Sequence, residues 1–118
     1  MSKIVIAGGG LCGALAGAYL ASNGYEIEVL ERRTDLRLGT AETGRSINLA
    51  LSARGIKALG LIGLDEELKQ ISIPMPVRAL HQKDGTIYYV PYSGRSGEYI
   101  NSISRTGLNA LLLDKLAH

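Results

Sequence analysis

An α/β fold built on a parallel β-α-β unit is what this sequence predicts, and three observations carry that expectation. A short β-branched run, Ile4-Val5-Ile6, breaks at Gly8-Gly9-Gly10. Thirteen uncharged residues, 11–23, rich in Leu, Ala and Gly, come next. An alternating run, Tyr25-Glu26-Ile27-Glu28-Val29-Leu30, closes the unit. Residues 3–7 therefore read as a strand buried on both faces, 11–23 as a buried helix and 25–30 as a second strand, with a right-handed crossover between them. Ala14, Gly17 and Ala21 leave one face of the helix nearly bare, so another element can approach it closely. Asn23-Gly24 is the stop signal.

The remaining elements follow in order. Residues 32–45 are polar and basic and read as a loop, and 46–51 alternate as a short strand. Ser52 is placed to cap a helix running to about Ile62, and Asp65 opens another over 65–71. Ile73-Pro74-Met75-Pro76 cannot lie inside a helix, because each proline lacks an N–H and has a fixed φ. Val77–Gln82 and Thr86–Val90 flank Asp84-Gly85, the signal for a hairpin with a two-residue turn. Tyr99–Ser104 reads as a further strand. Ser104 is placed to cap a last helix from Arg105, with Leu108, Leu111, Leu112 and Leu116 as its apolar stripe. That stripe has no later element to meet. The chain is therefore expected to be a piece of a longer protein and to self-associate through the faces left open.

Composition narrows the function. The 118 residues carry 13 Lys+Arg against 11 Asp+Glu, a net charge of +2, which gives no reason to expect nucleic acid as a partner. One cysteine, Cys12, excludes an internal disulfide, and with only His81 and His118 beside it a structural metal site is not expected. Glycine is over-represented, 15 of 118 against a usual ~7%. There is no Phe or Trp, so the core must be aliphatic. No segment reaches the roughly 18–20 apolar residues of a bilayer span. The first apolar run stops at Gly8, too soon for a signal peptide, and a cytoplasmic chain is expected.

The glycines are the first candidate site. Gly8-x-Gly10-x-x-Gly13 lies between a strand and a helix, the context in which this pattern binds a dinucleotide. Gly8 permits the turn off the strand, Gly10 lets the backbone touch a pyrophosphate, and Gly13 lets the helix pack closely. The helix N-terminus offers free N–H groups to the phosphates. Glu31 ends the second strand 18 residues after Gly13, where a Rossmann-like unit places the acid that binds the ribose hydroxyls. A carboxylate there disfavours a 2′-phosphate. FAD and NAD both remain open from this unit alone.

Downstream residues separate the two. Glu31-Arg32-Arg33, the run Gly44-Arg45-Ser46-Ile47-Asn48-Leu49-Ala50-Leu51-Ser52 and Arg54-Gly55 closely resemble the flavoprotein aromatic hydroxylases, and among them the branch acting on L-kynurenine. Ile73-Pro74-Met75, Arg78, His81, Pro91-Tyr92, Ser104-Arg105 and Leu108-Asn109 continue the likeness from residue 3 to about 117. The resemblance implies FAD as cofactor, NADPH as co-substrate, and hydroxylation of L-kynurenine to 3-hydroxykynurenine with O2. It places Cys12, Leu30, Glu31, Arg32 and Arg33, together with Gly8, Gly10 and Gly13, around the pyrophosphate and adenosine of FAD. Ala50 falls near the flavin, and Arg105 at the arginine that contacts FAD. Arg78 and Tyr92 fall where the family holds the substrate carboxylate, a role that suits a planar guanidinium and a phenol hydroxyl. No residue here is expected to be a catalytic acid or base, and no metal is expected.

Plainer roles stand beside these. Arg78 could be an outward strand residue, Tyr92 could cover the hairpin, and Arg105 could be a solvated first-turn residue. Arg45 either binds a phosphate or solvates its loop. Cys12 is expected to matter through its backbone, and His81 to lie on a strand surface. Members of the family are several times longer and carry later Asp-Gly and Gly-Asp stretches that have no counterpart here. The whole chain, 1–118, is thus expected to be the N-terminal part of a FAD-binding domain. Residues 1–72 form its dinucleotide-binding portion, 73–104 a hairpin and strand of the substrate region, and 105–118 a helix returning to the FAD domain. Alone, the piece is expected not to hydroxylate. A hydroxylase of another aromatic acid and a non-catalytic dinucleotide-binding module are the alternative functions.

Overall fold

The computed structural model describes residues 2–38, 48–95 and 97–118. Strand β1 (Lys3–Ala7), helix α1 (Leu11–Ser22) and strand β2 (Glu26–Leu30) form the opening unit, followed by a 3-10 turn at Leu36–Leu38. The two strands pair in parallel, with Lys3 opposite Glu26 and Ala7 opposite Leu30. Their burial alternates. One face lies toward α1, while Val5 and Leu30 on the other are exposed. The strand expected to be buried on both faces is therefore covered on one.

The next elements are β3 (Leu49–Leu51), α2 (Ala53–Gly60), α3 (Asp65–Ile71), β4 (Ser72–Met75), β5 (Val77–His81), β6 (Ile87–Pro91), β7 (Ile100–Ile103) and α4 (Arg105–Ala117). β7 is the centre of an antiparallel sheet with β3 and β4 on its flanks, pairing Leu51 with Asn101 and Ser72 with Ile103. Residues 46 and 47 of the expected strand lie outside the described residues. Ser52 occupies the cap position of α2 but its side chain makes no capping bond. Ser104 does cap α4, its Oγ accepting from the Gly107 N–H at 3.1 Å.

The core is aliphatic, as a chain without Phe or Trp requires. Leu51, Leu59, Ile62, Leu64 and Leu68 join Ile103, Leu108, Leu112, Ala14 and Ala18 in one buried cluster. The leucine stripe of α4 has a partner after all: α4 packs on α1, with Leu108 and Leu112 buried. A methyl on Gly17 would come within 2.9 Å of Leu116 Cδ1 and 3.4 Å of Ile27 and Val29. The missing side chain at Gly17 is what lets α1 sit between β2 and α4. The bare face is Ala14, Gly17 and Ala18; Ala21 is exposed.

The hairpin of β5 and β6 stands away from this body, with most of its residues exposed. It accounts for a radius of gyration of 17.3 Å, against about 13.5 Å for a compact domain of this length. Its turn is longer than the two residues expected. Gln82 and Thr86 face each other, the Gly85 N–H donates to the Gln82 carbonyl at 3.1 Å, and of the turn residues Lys83, Asp84 and Gly85 it is Gly85 that has positive φ, +90°. A two-residue type I′ turn needs positive φ at both central positions. Asp84 does not adopt it, so one more residue enters the loop. Among the described residues no helix is long and apolar enough to cross a membrane, and no cluster of metal-ligating side chains occurs.

Candidate functional site: a dinucleotide cradle

The three fingerprint glycines meet at the carboxyl ends of β1 and β2, each for a different reason. Gly8 turns with φ +111°, and its N–H donates to the Leu30 carbonyl at 2.8 Å. A Cβ on Gly13 would lie 1.9 Å from the Gly8 carbonyl oxygen and 3.3 Å from Ile6 Cγ2. Gly13 thus brings α1 against the turn itself as much as against the sheet. At Gly10 a Cβ would meet nothing within 4 Å. The space beside Gly10 is open, and the first intrahelical bond runs from the Ala14 N–H to the Gly10 carbonyl at 2.9 Å. The amides that precede Ala14 at the start of α1 have no intrahelical acceptor. Open space faced by free amides at a helix start is a site for a phosphate.

Glu31 closes one side. Its Oε2 accepts from the Gly9 N–H at 2.8 Å and its Oε1 from the Arg33 N–H at 3.0 Å. These bonds, Arg33's first and Gly9's second, hold its pKa below the ordinary 4.5. An ionised carboxylate has about four acceptor positions. Two are used by the backbone, the Arg33 guanidinium lies 3.6 Å from Oε1, and the carboxylate keeps acceptor capacity beyond these. Beside Glu31 opens a cleft of about 450 Å³ lined by Ile27, Val29, Arg33, Asn109 and Leu113 among others.

The loop after β2 is tied to α4. Asp35 accepts from the Arg37 guanidinium, Nη2 to Oδ2 at 2.6 Å, and Arg37 Nη1 reaches Asp114 at 3.4 Å. The guanidinium bonds first, and the Arg37 backbone N–H second, lower the Asp35 pKa from 3.8 to about 2. Both Glu31 and Asp35 bind protons more weakly folded than unfolded. Their contribution is complete above their ordinary values, 4.5 and 3.8, and is lost as pH falls through the folded values. The melting temperature should therefore fall between pH 4.5 and about 2. In Asp35→Asn the lower part of that slope should flatten; an identical slope would remove Asp35 from this account.

Sequence reasoning quoted Asn109 but gave it no task. The structure buries it and directs its Nδ2–H at the Gly9 carbonyl, 2.9 Å away across 100 residues of sequence. Both peptide groups that meet at Gly9 are thus held, the one before it through its N–H by Glu31 and the one after it through its carbonyl by Asn109. The polar type at position 109, within an otherwise apolar leucine stripe, was the available signal.

Of the other sequence candidates, Cys12 is exposed at the second position of α1, and Leu30, Arg32 and Arg33 are exposed where β2 ends. Ala50 is exposed on β3 opposite Ser102, and Arg105 is the exposed first residue of α4. Arg45 lies outside the described residues. Arg78 on β5 and Tyr92, just past β6, are brought together, the guanidinium 5.9 Å from the ring centroid. His81 is exposed on β5.

Comparison with known proteins agrees with this geometry. A family profile described as "NAD(P)-binding Rossmann-like domain" matches residues 6–60. Kynurenine 3-monooxygenase of Legionella pneumophila (strain Lens) is 52% identical over 115 residues, covering 98% of this chain and 26% of that protein. The enzyme of that name from Sus scrofa is 44% identical over 112 residues, 95% of this chain and 24% of its own length. The chain spans about a quarter of the length of the curated relatives it matches. Two solved structures share the fold. Pseudomonas aeruginosa PqsL in complex with 2-aminobenzoylacetate has a TM-score of 0.74 at 25% identity, covering 98% of this chain and 31% of PqsL. The tetrameric form of 2-methyl-3-hydroxypyridine-5-carboxylic acid oxygenase has a TM-score of 0.80 at 19% identity, covering 99% and 29%. With its glycine turn, its strand-end acid and this level of identity over nearly all its residues, the chain is similar to the N-terminal quarter of proteins named kynurenine 3-monooxygenase.

Proposed function

We propose that this chain is the part of an aromatic hydroxylase that holds the ADP end of FAD, and that the parent enzyme uses NADPH and O2 to convert L-kynurenine to 3-hydroxykynurenine. The observation that carries the reading is the cradle: open space at Gly10, a helix start facing it, and Glu31 with acceptor positions to spare. A dinucleotide fits this set, since pyrophosphate needs the free amides and ribose needs the carboxylate. When bound, FAD would supply the redox chemistry of the hydroxylation, with NADPH as reductant and O2 as the oxygen source.

The chain's own residues bind and orient. Gly8, Gly10, Cys12 and Gly13 take the pyrophosphate through backbone, and Glu31, with Leu30, Arg32 and Arg33 beside it, takes the adenosine. Ala50 and Arg105 lie toward the flavin. Residues 1–72 and 105–118 make the dinucleotide part, and 73–104 the substrate part, where Arg78 and Tyr92 hold the substrate carboxylate. Their proximity supports that pairing, because the phenol ring keeps the guanidinium near a fixed place. A cytoplasmic location belongs to the same reading. So does self-association, which the exposed Val5, Ile87, Tyr88 and Tyr89 support.

A second reading, another aromatic acid as substrate, is favoured by the same pair, since Arg78 and Tyr92 recognise a carboxylate and not a particular ring. The test is Arg78→Met in the parent enzyme, which keeps the stem and removes the guanidinium. The purified enzyme is expected to show flavin absorption bands in both forms, with KM for L-kynurenine raised in the variant. Loss of flavin from the variant would move Arg78 to the cofactor site or to the fold. A wild-type enzyme that carries flavin but does not hydroxylate L-kynurenine would favour the second substrate class.

A further inference from the structure

We infer that Asn109 is the positioning residue of the phosphate loop: by holding the Gly9 carbonyl from inside the core, it aims the Gly10 N–H outward at the dinucleotide pyrophosphate. The inference rests on the dinucleotide reading above and adds a residue to it.

The argument begins with peptide geometry. In a trans peptide the C=O and the following N–H point in opposite directions. The Gly9–Gly10 bond is trans, as are all the described bonds. Asn109 is buried on α4, and its Nδ2 donates to the Gly9 oxygen at 2.9 Å. The Gly9 carbonyl therefore faces the interior, and the Gly10 N–H faces away from it. The Cβ direction at Gly10 is open too, with nothing within 4 Å of a Cβ placed there, so a ligand can come close to this residue.

Glycine makes such a hold necessary. Gly8-Gly9-Gly10 has no side chain to restrain its peptide planes, and each plane left free costs entropy when a ligand orders it. Glu31 fixes the plane before Gly9 through the Gly9 N–H. Asn109 fixes the plane after it. The two restraints come from different elements, β2 and α4, and act on adjacent planes of the loop. Asparagine suits the place because it is short, uncharged and able to donate in a buried setting without the desolvation cost of a charge.

The test compares ADP with adenosine by amide chemical-shift titration of the full chain, wild type against Asn109→Leu. Adenosine engages the ribose acid and lacks the pyrophosphate. Wild type is expected to bind ADP more tightly than adenosine, with a large shift at the Gly10 amide. Asn109→Leu should bind ADP about tenfold more weakly, the scale of one lost hydrogen bond's worth of alignment, while adenosine affinity stays within about twofold of wild type. Asn109→Ser, which leaves room for water at the Gly9 carbonyl, takes the place of the leucine variant if that variant does not fold, and should show the same selective loss. Equal weakening of both ligands would make Asn109 a structural residue and overturn the inference, as would no change in either. Wild type that binds ADP no better than adenosine would also overturn it. Wild type that binds neither would overturn the dinucleotide reading itself.

Discussion

Gly13→Ala is expected to lose the fold of the fingerprint loop, while Gly10→Ala is expected to keep the fold and lose the nucleotide. At position 13 the new methyl would lie 1.9 Å from a backbone oxygen, that of Gly8, which no side-chain rotation can clear. Either α1 moves off the turn or the turn changes shape. Overpacking of this kind costs roughly 1–3 kcal/mol, and a backbone clash belongs at the upper end. For a chain of this size that corresponds to a melting temperature lower by about 10 °C or more. At position 10 the backbone, φ −71° and ψ −172°, suits any residue, and the methyl meets nothing. Its melting temperature should match wild type, yet the methyl would fill the space proposed for the pyrophosphate. Thermal melts and ADP titrations of the two variants make the comparison. Normal ADP binding by Gly10→Ala would remove the phosphate from that side of the loop.

Glu31→Ala is expected to weaken FAD binding about tenfold or more, the range for losing a hydrogen bond to a charged acceptor. The structure adds a reason beyond the ribose. The same carboxylate receives the Gly9 and Arg33 amides, so its removal frees the loop as well as taking away the acceptor proposed for the ribose. Glu31→Gln keeps one oxygen and turns an NH2 group toward a backbone donor, so it should fall between wild type and alanine. Flavin fluorescence titration reads all three. Unchanged affinity in the alanine variant would end the assignment of Glu31 to the adenosine.

The β-α-β unit was legible because its signals are local. Strand, glycine turn, uncharged helix and alternating strand follow one another within 30 residues, and the 18-residue offset to Glu31 is a length set by one helix and one strand. The cap at Ser104 was legible for the same reason, and the hairpin at Asp84-Gly85 was legible in place though short by one loop residue. What could not be read was the meeting of distant segments. Nothing in the spacing of Leu108, Leu112 and Leu116 says that their partner is the bare face of α1, and nothing local says that Asn109 reaches Gly9. The exposure of Val5 and Leu30 was hidden by composition, since an apolar run looks alike whether one face or two are covered. Arg78 and Tyr92 came from the family resemblance, and their contact was visible only in the folded hairpin.

The bond from Asn109 to Gly9 also sets an order of events during synthesis. The glycine loop leaves the ribosome 100 residues ahead of the side chain that bonds to it. Closing so long a loop is slow compared with forming the local β-α-β contacts. At translation speeds of roughly 5–20 residues per second, the loop waits several seconds for α4. During that interval the strands and α1 can form, but the Gly9 carbonyl is not yet held. On the dinucleotide reading proposed above, ADP should bind about tenfold more tightly once α4 has docked than before it.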